Sequence, residues 1–452
     1  MVNLRGVTHF SLSLGIGTVK DHLKAVQKKG LKGFTLTDEM SLAGGVLASL
    51  DGKKEKVPVV IGVTLNVTEN VRVRKIDHKY DKVVALAKSH KGFKNLSHLV
   101  SVGSLPNHAY AGKSRISFDE LFGKSEDLVL LSGDARGPVA YHIINRTGED
   151  ETTFLRLKEA FGANFKCEVS LADFSKKWDA KEGVFLTQPN NQVMVNKRMI
   201  ELAQKHGVEI VLTYPVLMPS KEDLTSQEIL LQNAYGGNVR FHEAVCHMSE
   251  EEVHQYIEER HPYLKEYDYR AWMANTERVF DECKDPYFEP ELFIPPVDHS
   301  EYPCNQDEKW ERAFQDYKAH VEKVHPAFAE ILHEADQGEK DLKTLIKMIL
   351  MLNKFNPKDP AYLERLYSDT VVAQRNGLVN LADYFLFLEA ENRKIIATGE
   401  IRGLGRGSGA GFLINYGLDL TDVDPIRYGL RSDRFLALDR TGKVNYRFTE
   451  VA

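Results

Sequence analysis

The 452-residue sequence has no run of about eighteen apolar residues, which excludes the usual membrane-spanning helix. Its first residues, "MVNLRGVTHF", carry neither a basic stretch nor a hydrophobic one, so a secretory leader is not expected and a cytoplasmic location is. Cysteine is scarce: Cys167, Cys246, Cys283 and Cys304 lie far apart with no C-x-x-C pair. That excludes a disulfide framework and a cysteine-built zinc site. A net positive charge is also missing. At a formal -6 the chain is not built to coat nucleic acid indiscriminately, because such contacts need clustered Lys and Arg to displace counterions. The deficit is not uniform, however. Arg427, Arg431, Arg434, Arg440, Lys443 and Arg447 stand against only Asp433 and Asp439, a locally basic stretch suited either to phosphate contact or to a solvated face.

What is present is the composition of a folded protein, 42% hydrophobic and 27% charged, with length for two or three domains. The first half alternates β-branched runs with amphipathic segments. "GFTLTD", "VPVVIGVTLNV", "KVVALA", "DLVLLSG", "FKCEVSLA", "GVFLTQ" and "VEIVLTYPVLM" read as strands, and "TVKDHLKAVQKKG" and "NQVMVNKRMIELAQKHG" as helices closed by Gly30 and Gly207. Repeated βα units predict an α/β barrel or a doubly wound sheet, with functional groups on the loops after the strands. After about Gly237 helical patterns take over, in "SEEEVHQYIEERH", "EKWERAFQDYKAHVEKVHPAFAEILHEA" and "LKTLIKMILMLNKF". The proline- and acid-rich "DPYFEPELFIPPVDHSEYPCNQ" reads as an extended connection. It sets the expected domains at 1–285 and 286–452.

Five glycines between Gly403 and Gly411, in "IRGLGRGSGAGFLINYG", follow one expected helix, "NLADYFLFLEAENRKIIATG", with Asn380 as its N-cap and Gly399 at its end. A second helix is expected from Ser408. A Walker loop is excluded, since no lysine precedes Ser408. Gly405, Gly407 and Ala410 match the G-x-G-x-x-G/A dinucleotide pattern, which also requires a preceding strand. Close packing is a third way to use bare glycines. The fourth is an anion seat: N–H groups of Gly407, Ser408 and Gly409 at the start of the helix, the Ser408 hydroxyl, and charge from Arg402 and Arg406.

Those residues carry a resemblance. "GLGRGSGAGFLINYGLDLTDVDPIRYGLRSDRFLALDR" and the upstream "LADYFLFLEAENRK" resemble a signature stretch of the C-family bacterial replicative polymerases, the alpha subunits of DNA polymerase III. "FTLTDEMSLAGG", "VVIGVTLNV", "LAKSHKGFKNLSHL", "LVLLSGDARG" and "MIELAQKHGVEIVLTYPVLM" resemble that family's amino-terminal PHP domain, in the same order. The resemblance implies a PHP-type distorted (β/α) barrel, then a largely helical segment leading into a partial nucleotidyltransferase-like palm. It implies that Gly407 and Ser408 cradle the triphosphate of an incoming nucleotide; their charge makes Arg406, Arg402, Arg434 and Arg440 the secondary candidates for phosphate or template contacts. The implied partners are primer-template DNA, a dNTP, a second polypeptide carrying the rest of the polymerase, and clamp or proofreading subunits.

The sequence also departs from the family. Active PHP domains hold metals with clustered His, Asp and Glu. Here Arg5 and Val7 stand at the first histidine positions, Asp38 and Glu39 at the Asp-His pair, Thr64 at the next acid, and Tyr214, Pro215 and Gln227 at the later ligands. Asp38 and His9 remain as isolated polar groups, so no metal is expected and the barrel reads as a scaffold. The family's paired palm aspartates should follow the "RFLALDR" match; "TGKVNYRFTEVA" contains no Asp-x-Asp, and Glu450 is solitary. Asp422 and Asp424 match a structural turn. The expectation is an incomplete polymerase that does not extend primers alone, with Mg2+ entering only when other segments complete the palm. The alternatives are a non-catalytic replication-interaction protein and a metal-dependent PHP phosphoesterase.

Overall fold

The computed structural model describes the chain except residues 74–79, 174–175, 180–183, 188, 236–245, 285–296, 339, 374–380, 406, 439–443 and 446–452; side chains within 176–187 are likewise not described. The expected extended connection and the Asn380 cap thus fall largely outside the described residues. The chain divides into two compact units, Met1–Glu289 and Pro290–Ala452.

The first unit is built on a curled sheet. In chain order its strands are β1 (Phe34–Leu36), β2 (Val59–Thr68), β3 (Asp81–Ala87), β4 (Ile116–Ser117), β5 (Leu128–Leu131), β6 (Phe165–Ser170) and β9 (Ile210–Thr213); β7 (Lys176–Asp179) and β8 (Val184–Thr187) form a separate antiparallel pair. The order is β1-β2-β3-β5-β6-β9, with β4 beside β2. Most pairs separated by helices are parallel, as between β1 and β2 or β6 and β9. The exceptions centre on β3, which pairs antiparallel both to β2, its predecessor in the chain, and to β5, although helix His90–Gly103 lies between β3 and β5. The strict βα repetition of the first half is therefore broken in the middle of the sheet.

The amino-terminal segment bridges the two edge strands, tying residues 3–7 to β1 on one side and to the segment after β9 on the other. Thr37 N–H donates to Gly6 O (2.7 Å), Thr35 Oγ1 to Asn3 O (2.8 Å), Val7 N–H to Val216 O (2.9 Å) and Asn3 Nδ2 to Tyr214 O (2.7 Å). Both sheet faces are buried, so β2 has no exposed residue and its alternation is not of apolar with polar. Val59, Ile61, Val63, Leu65 and Val67 face the helices. The opposite face changes character along the strands. At one end Val60, Leu86, Val129 and Val211 pack with Val2, Leu4 and Phe280 of helix Tyr269–Cys283. At the other, the carboxyl ends of the parallel strands, it carries buried Thr64, Asn66, Glu168 and Thr213. This is the face on which a βα barrel places its chemistry.

In the second unit, helices Glu308–Val324, Pro326–Gln337, Lys340–Leu352, Pro360–Ala373 and Leu381–Ala397 surround Phe314, Phe328, Leu345, Phe385 and Phe412. The long helical pattern through 308–335 is broken at Pro326, whose ring cannot continue the preceding helix; His325 Nδ1 instead accepts the Phe328 N–H (3.1 Å) and starts the next one. The expected helix from Ser408 is not formed. Ser408–Gly411 is a short 3-10 turn, Phe412 is extended, and the helix occupies only Leu413–Gly417.

Candidate functional site

At the polar end of the barrel the side chains neutralise one another. The buried Arg5 Nη1 donates to Asp134 Oδ2 (2.8 Å) and Glu168 Oε1 (3.1 Å). Arg136 grips Asp134 from its other side, Nε to Oδ1 at 3.0 Å and Nη2 to Oδ2 at 2.5 Å. Lys82, which the β2–β3 register sets opposite Asn66, donates to Glu39 Oε2 (2.6 Å). Burial works against the Asp134 charge, yet the Arg136 and Arg5 guanidinium groups hold its carboxyl well below the usual range. Burial, with Arg136 nearby, lowers Lys82 to about 8. These charges frame a cavity of about 20 Å³ lined by Arg5, Glu39, Thr64, Lys82 and Arg136, room for about one water.

A catalytic metal does not fit this donor set. A divalent cation in the cavity would meet three positive side chains and one carboxylate that is already paired. The residues at ligand positions are committed elsewhere. Asp38 is buried and accepts from Thr8 N–H and Oγ1 (2.8 Å each) and Ser11 Oγ (2.7 Å); burial raises its pKa. Thr64 Oγ1 donates to Thr37 O (2.8 Å), Gln227 to Leu14 O, and exposed His9 lies beside Gly17 O. No group of three or more His, Cys, Asp or Glu able to hold a metal occurs among the described residues.

The glycine-rich segment is arranged differently. Loop 401–405 is pinned where Asp422 N–H (2.7 Å) and Thr421 Oγ1 (3.1 Å) donate to Leu404 O. Two glycines are there for close approach: a Cβ on Gly405 would lie 2.5 Å from Thr421 Oγ1, and one on Gly411 2.4 Å from Arg431 O. Gly407 differs. It is exposed, with φ 72° and ψ -165°, a conformation open essentially to glycine alone, and a Cβ there would meet nothing within 4 Å. Among the described residues neither the Gly407 and Ser408 N–H groups nor the Ser408 hydroxyl has a hydrogen-bond partner. The helix start behind them is not available, because the buried Asp369 carboxylate takes the Leu413 N–H (2.5 Å).

Of the arginines singled out in the sequence, Arg402 is turned to carboxylates, with Nη2 2.8 Å from Asp422 Oδ1 and 3.4 Å from Asp419 Oδ1; Lys354 joins the same pair. Arg434 is exposed on the turn Ser432–Arg434. Arg406 and Arg440 lie outside the described residues. Asp424 accepts from Tyr362 Oη (2.5 Å) and the Ile426 N–H (2.9 Å), a turn-forming role. No strand precedes the glycines among the described residues, so the dinucleotide pattern lacks its setting. The sequence reading missed Arg365, whose Nη2 donates to Gly411 O (2.7 Å) and Leu430 O (2.6 Å), and Asp369 one helical turn on. Their signal was present: two opposite charges at i and i+4 in "PAYLERLYSDTVVA", the spacing that puts them side by side on a helix.

Two stretches of the chain match known protein families. Residues 3–172 match the PHP domain and residues 339–443 the bacterial DNA polymerase III alpha NTPase domain. The chain is similar to DNA polymerase III subunit alpha of Borreliella burgdorferi (25% identical, over 97% of this chain and 34% of that protein) and of Aquifex aeolicus (25%, over 97% and 35%). It thus spans about a third of the length of the curated relatives it matches. A solved amidohydrolase from Chromobacterium violaceum aligns at 13% identity over 57% of this chain and 96% of its own, with a TM-score of 0.30, too low to support a conclusion.

Proposed function

From the premise that the chain resembles the PHP domain and partial palm of DNA polymerase III alpha subunits, we propose that its glycine turn holds the triphosphate of an incoming deoxynucleotide during primer extension. The observation that carries this is the backbone of exposed Gly407 and half-buried Ser408, whose N–H groups have no hydrogen-bond partner among the described residues, inside the segment that matches the NTPase domain. Bare N–H groups and a hydroxyl suit phosphate oxygens. The helix start plays no part, since Asp369 already occupies it. Arg406 and Arg402 supply charge beside the phosphates, Arg402 by exchanging a carboxylate partner for phosphate, and Arg434 and Arg440 contact nucleic acid phosphates.

Nucleotidyl transfer draws on Mg2+ held by carboxylates. Asp422 and Asp424 are engaged in turns and ion pairs, so the carboxylates come from palm segments beyond the matched third, in the same or a second polypeptide. This chain's part is to seat and orient the triphosphate, while the barrel, closed by its own charges, serves as a scaffold. Combining the chain with a polypeptide that carries the remaining palm, then assaying primer extension with wild type and Gly407→Val, tests the reading. Extension that is gained with wild type and lost with Gly407→Val is expected. Extension indifferent to Gly407→Val overturns the seat.

A further inference from the structure

We propose that Arg365 and Asp369 are positioning residues for the glycine turn, holding the backbone on both sides of Phe412 and so fixing where Gly407 and Ser408 stand. The inference rests on reading that turn as the triphosphate seat. The two side chains lie on one face of helix Pro360–Ala373, one turn apart. Arg365 Nη2 bridges Gly411 O and Leu430 O, joining the end of the turn to the segment that passes over it. Asp369 Oδ2 takes the Leu413 N–H, and its other oxygen lies 3.4 Å from Arg365 Nε. Between the two anchors Phe412 is fully buried, its ring 5.4 Å from that of Phe385.

A carboxylate with 1% exposure is an expensive way to fill space. Neighbouring Leu363, Leu366 and Ala373 show that the same helix fills space with hydrocarbon. What a carboxylate and a guanidinium add is direction. One fixes an N–H vector and the other two carbonyl vectors, within a segment whose glycines would otherwise leave it free. Displacing such a turn by about 1 Å is enough to disrupt a phosphate seat.

The test uses the full chain as wild type, Asp369→Leu, which removes the acceptor of the Leu413 N–H, Arg365→Met, Arg365→Lys and, as a packing control on the same helix, Leu363→Ala. Binding of Mg·dATP is measured by calorimetry with the polypeptide that carries the remaining palm present, and hydrogen exchange is followed across residues 407–413. Asp369→Leu and Arg365→Met are expected to weaken binding about tenfold or more, a loss of about 1.4 kcal/mol, and to speed exchange in the turn. Arg365→Lys keeps the charge without the two-carbonyl fork and should fall between. Leu363→Ala should lower the melting temperature while leaving affinity within about twofold. Wild-type affinity and exchange in Asp369→Leu and Arg365→Met would overturn the proposal, as would a Leu363→Ala variant that loses affinity equally. If wild type itself fails to bind Mg·dATP, the triphosphate reading falls. Exchange then decides the positioning alone: faster exchange at 407–413 upholds it and unchanged exchange removes it.

Discussion

The barrel mouth and the glycine turn each lie where a family resemblance implies phosphate chemistry, and they are built in opposite ways. In the barrel, Arg5, Lys82 and Arg136 answer Asp134, Glu168 and Glu39 so fully that little but a water-sized space is left. In the turn, side chains hold the flanks and leave the Gly407–Ser408 backbone bare. A site whose charges are satisfied internally gives up affinity for external ions in return for rigidity; a site whose charges are kept at its margins does the reverse.

The largest test of that contrast is Arg5→Met. It leaves Asp134 with Arg136 but strips Glu168 of the one cation that pairs with it among the described residues, and breaking a buried pair in this way costs about 3–5 kcal/mol. Urea unfolding of the first unit should move accordingly; a change below about 1 kcal/mol would mean that water reaches these carboxylates and the mouth is open after all. Next comes Gly407→Ala. No neighbour would clash with the new methyl group, so the cost is the backbone strain alone, about 1–3 kcal/mol. It should appear as faster hydrogen exchange confined to the turn, whereas Gly411→Ala, driven into Arg431 O, should perturb the packed core of the second unit as well.

Legibility in the sequence followed the same divide. Each strand expected in the first half has a described counterpart, because β-branched runs bounded by turns carry their own signal. The antiparallel placement of β3 did not, since nothing in "KVVALA" states its neighbour. The absence of His and acid at the positions where the resemblance would put metal ligands was readable one residue at a time. What replaced them was not, because Arg5, Lys82 and Arg136 are distant in sequence and meet only through the curl of the sheet. In the turn, the exposed glycine was legible from the motif. The helix expected at Ser408 was not formed, for a reason that lies in another helix: Asp369 caps Leu413 and sets the start five residues later.

A smaller effect separates the two units by acidity. His22 and His247 are buried against each other, Nδ1 to Nε2 at 3.0 Å, and burial lowers His22 to about 4, His261 to about 4 and His247 well below the usual value. Folded-state values below the unfolded one mean that the unfolded chain takes up protons first, so the first unit should lose stability as pH falls from about 6.5 toward 4. Asp369 works the other way. Burial raises it to about 7, against the Leu413 and Ile414 N–H groups, Arg365 and the Ser432 hydroxyl, which favour its charge. The folded state there keeps a proton that the unfolded chain releases near pH 4, so this group's contribution is fullest in acid and declines as pH rises to 7. The slope is at most about 1.4 kcal/mol per pH unit per group. Urea titrations followed through Trp272 in one unit and Trp310 in the other should show opposed trends, and Asp369→Asn should flatten only the second.

The smallest expected effect is the response to metal. Anything that binds the folded state alone raises its stability in proportion to the logarithm of its concentration, so even a weak divalent site in the barrel would reveal itself at millimolar Mn2+ or Zn2+. With Arg5, Lys82 and Arg136 already facing the cavity, such an ion would have to displace a cation from a buried carboxylate before gaining one of its own. The melting temperature of the first unit should therefore stay within about 1 °C on adding Mn2+ or EDTA, a shift equivalent to only a few tenths of a kcal/mol. A saturable rise of several degrees would show that one of these side chains yields its place, and would erase the difference between the two sites on which the scaffold reading of the barrel depends.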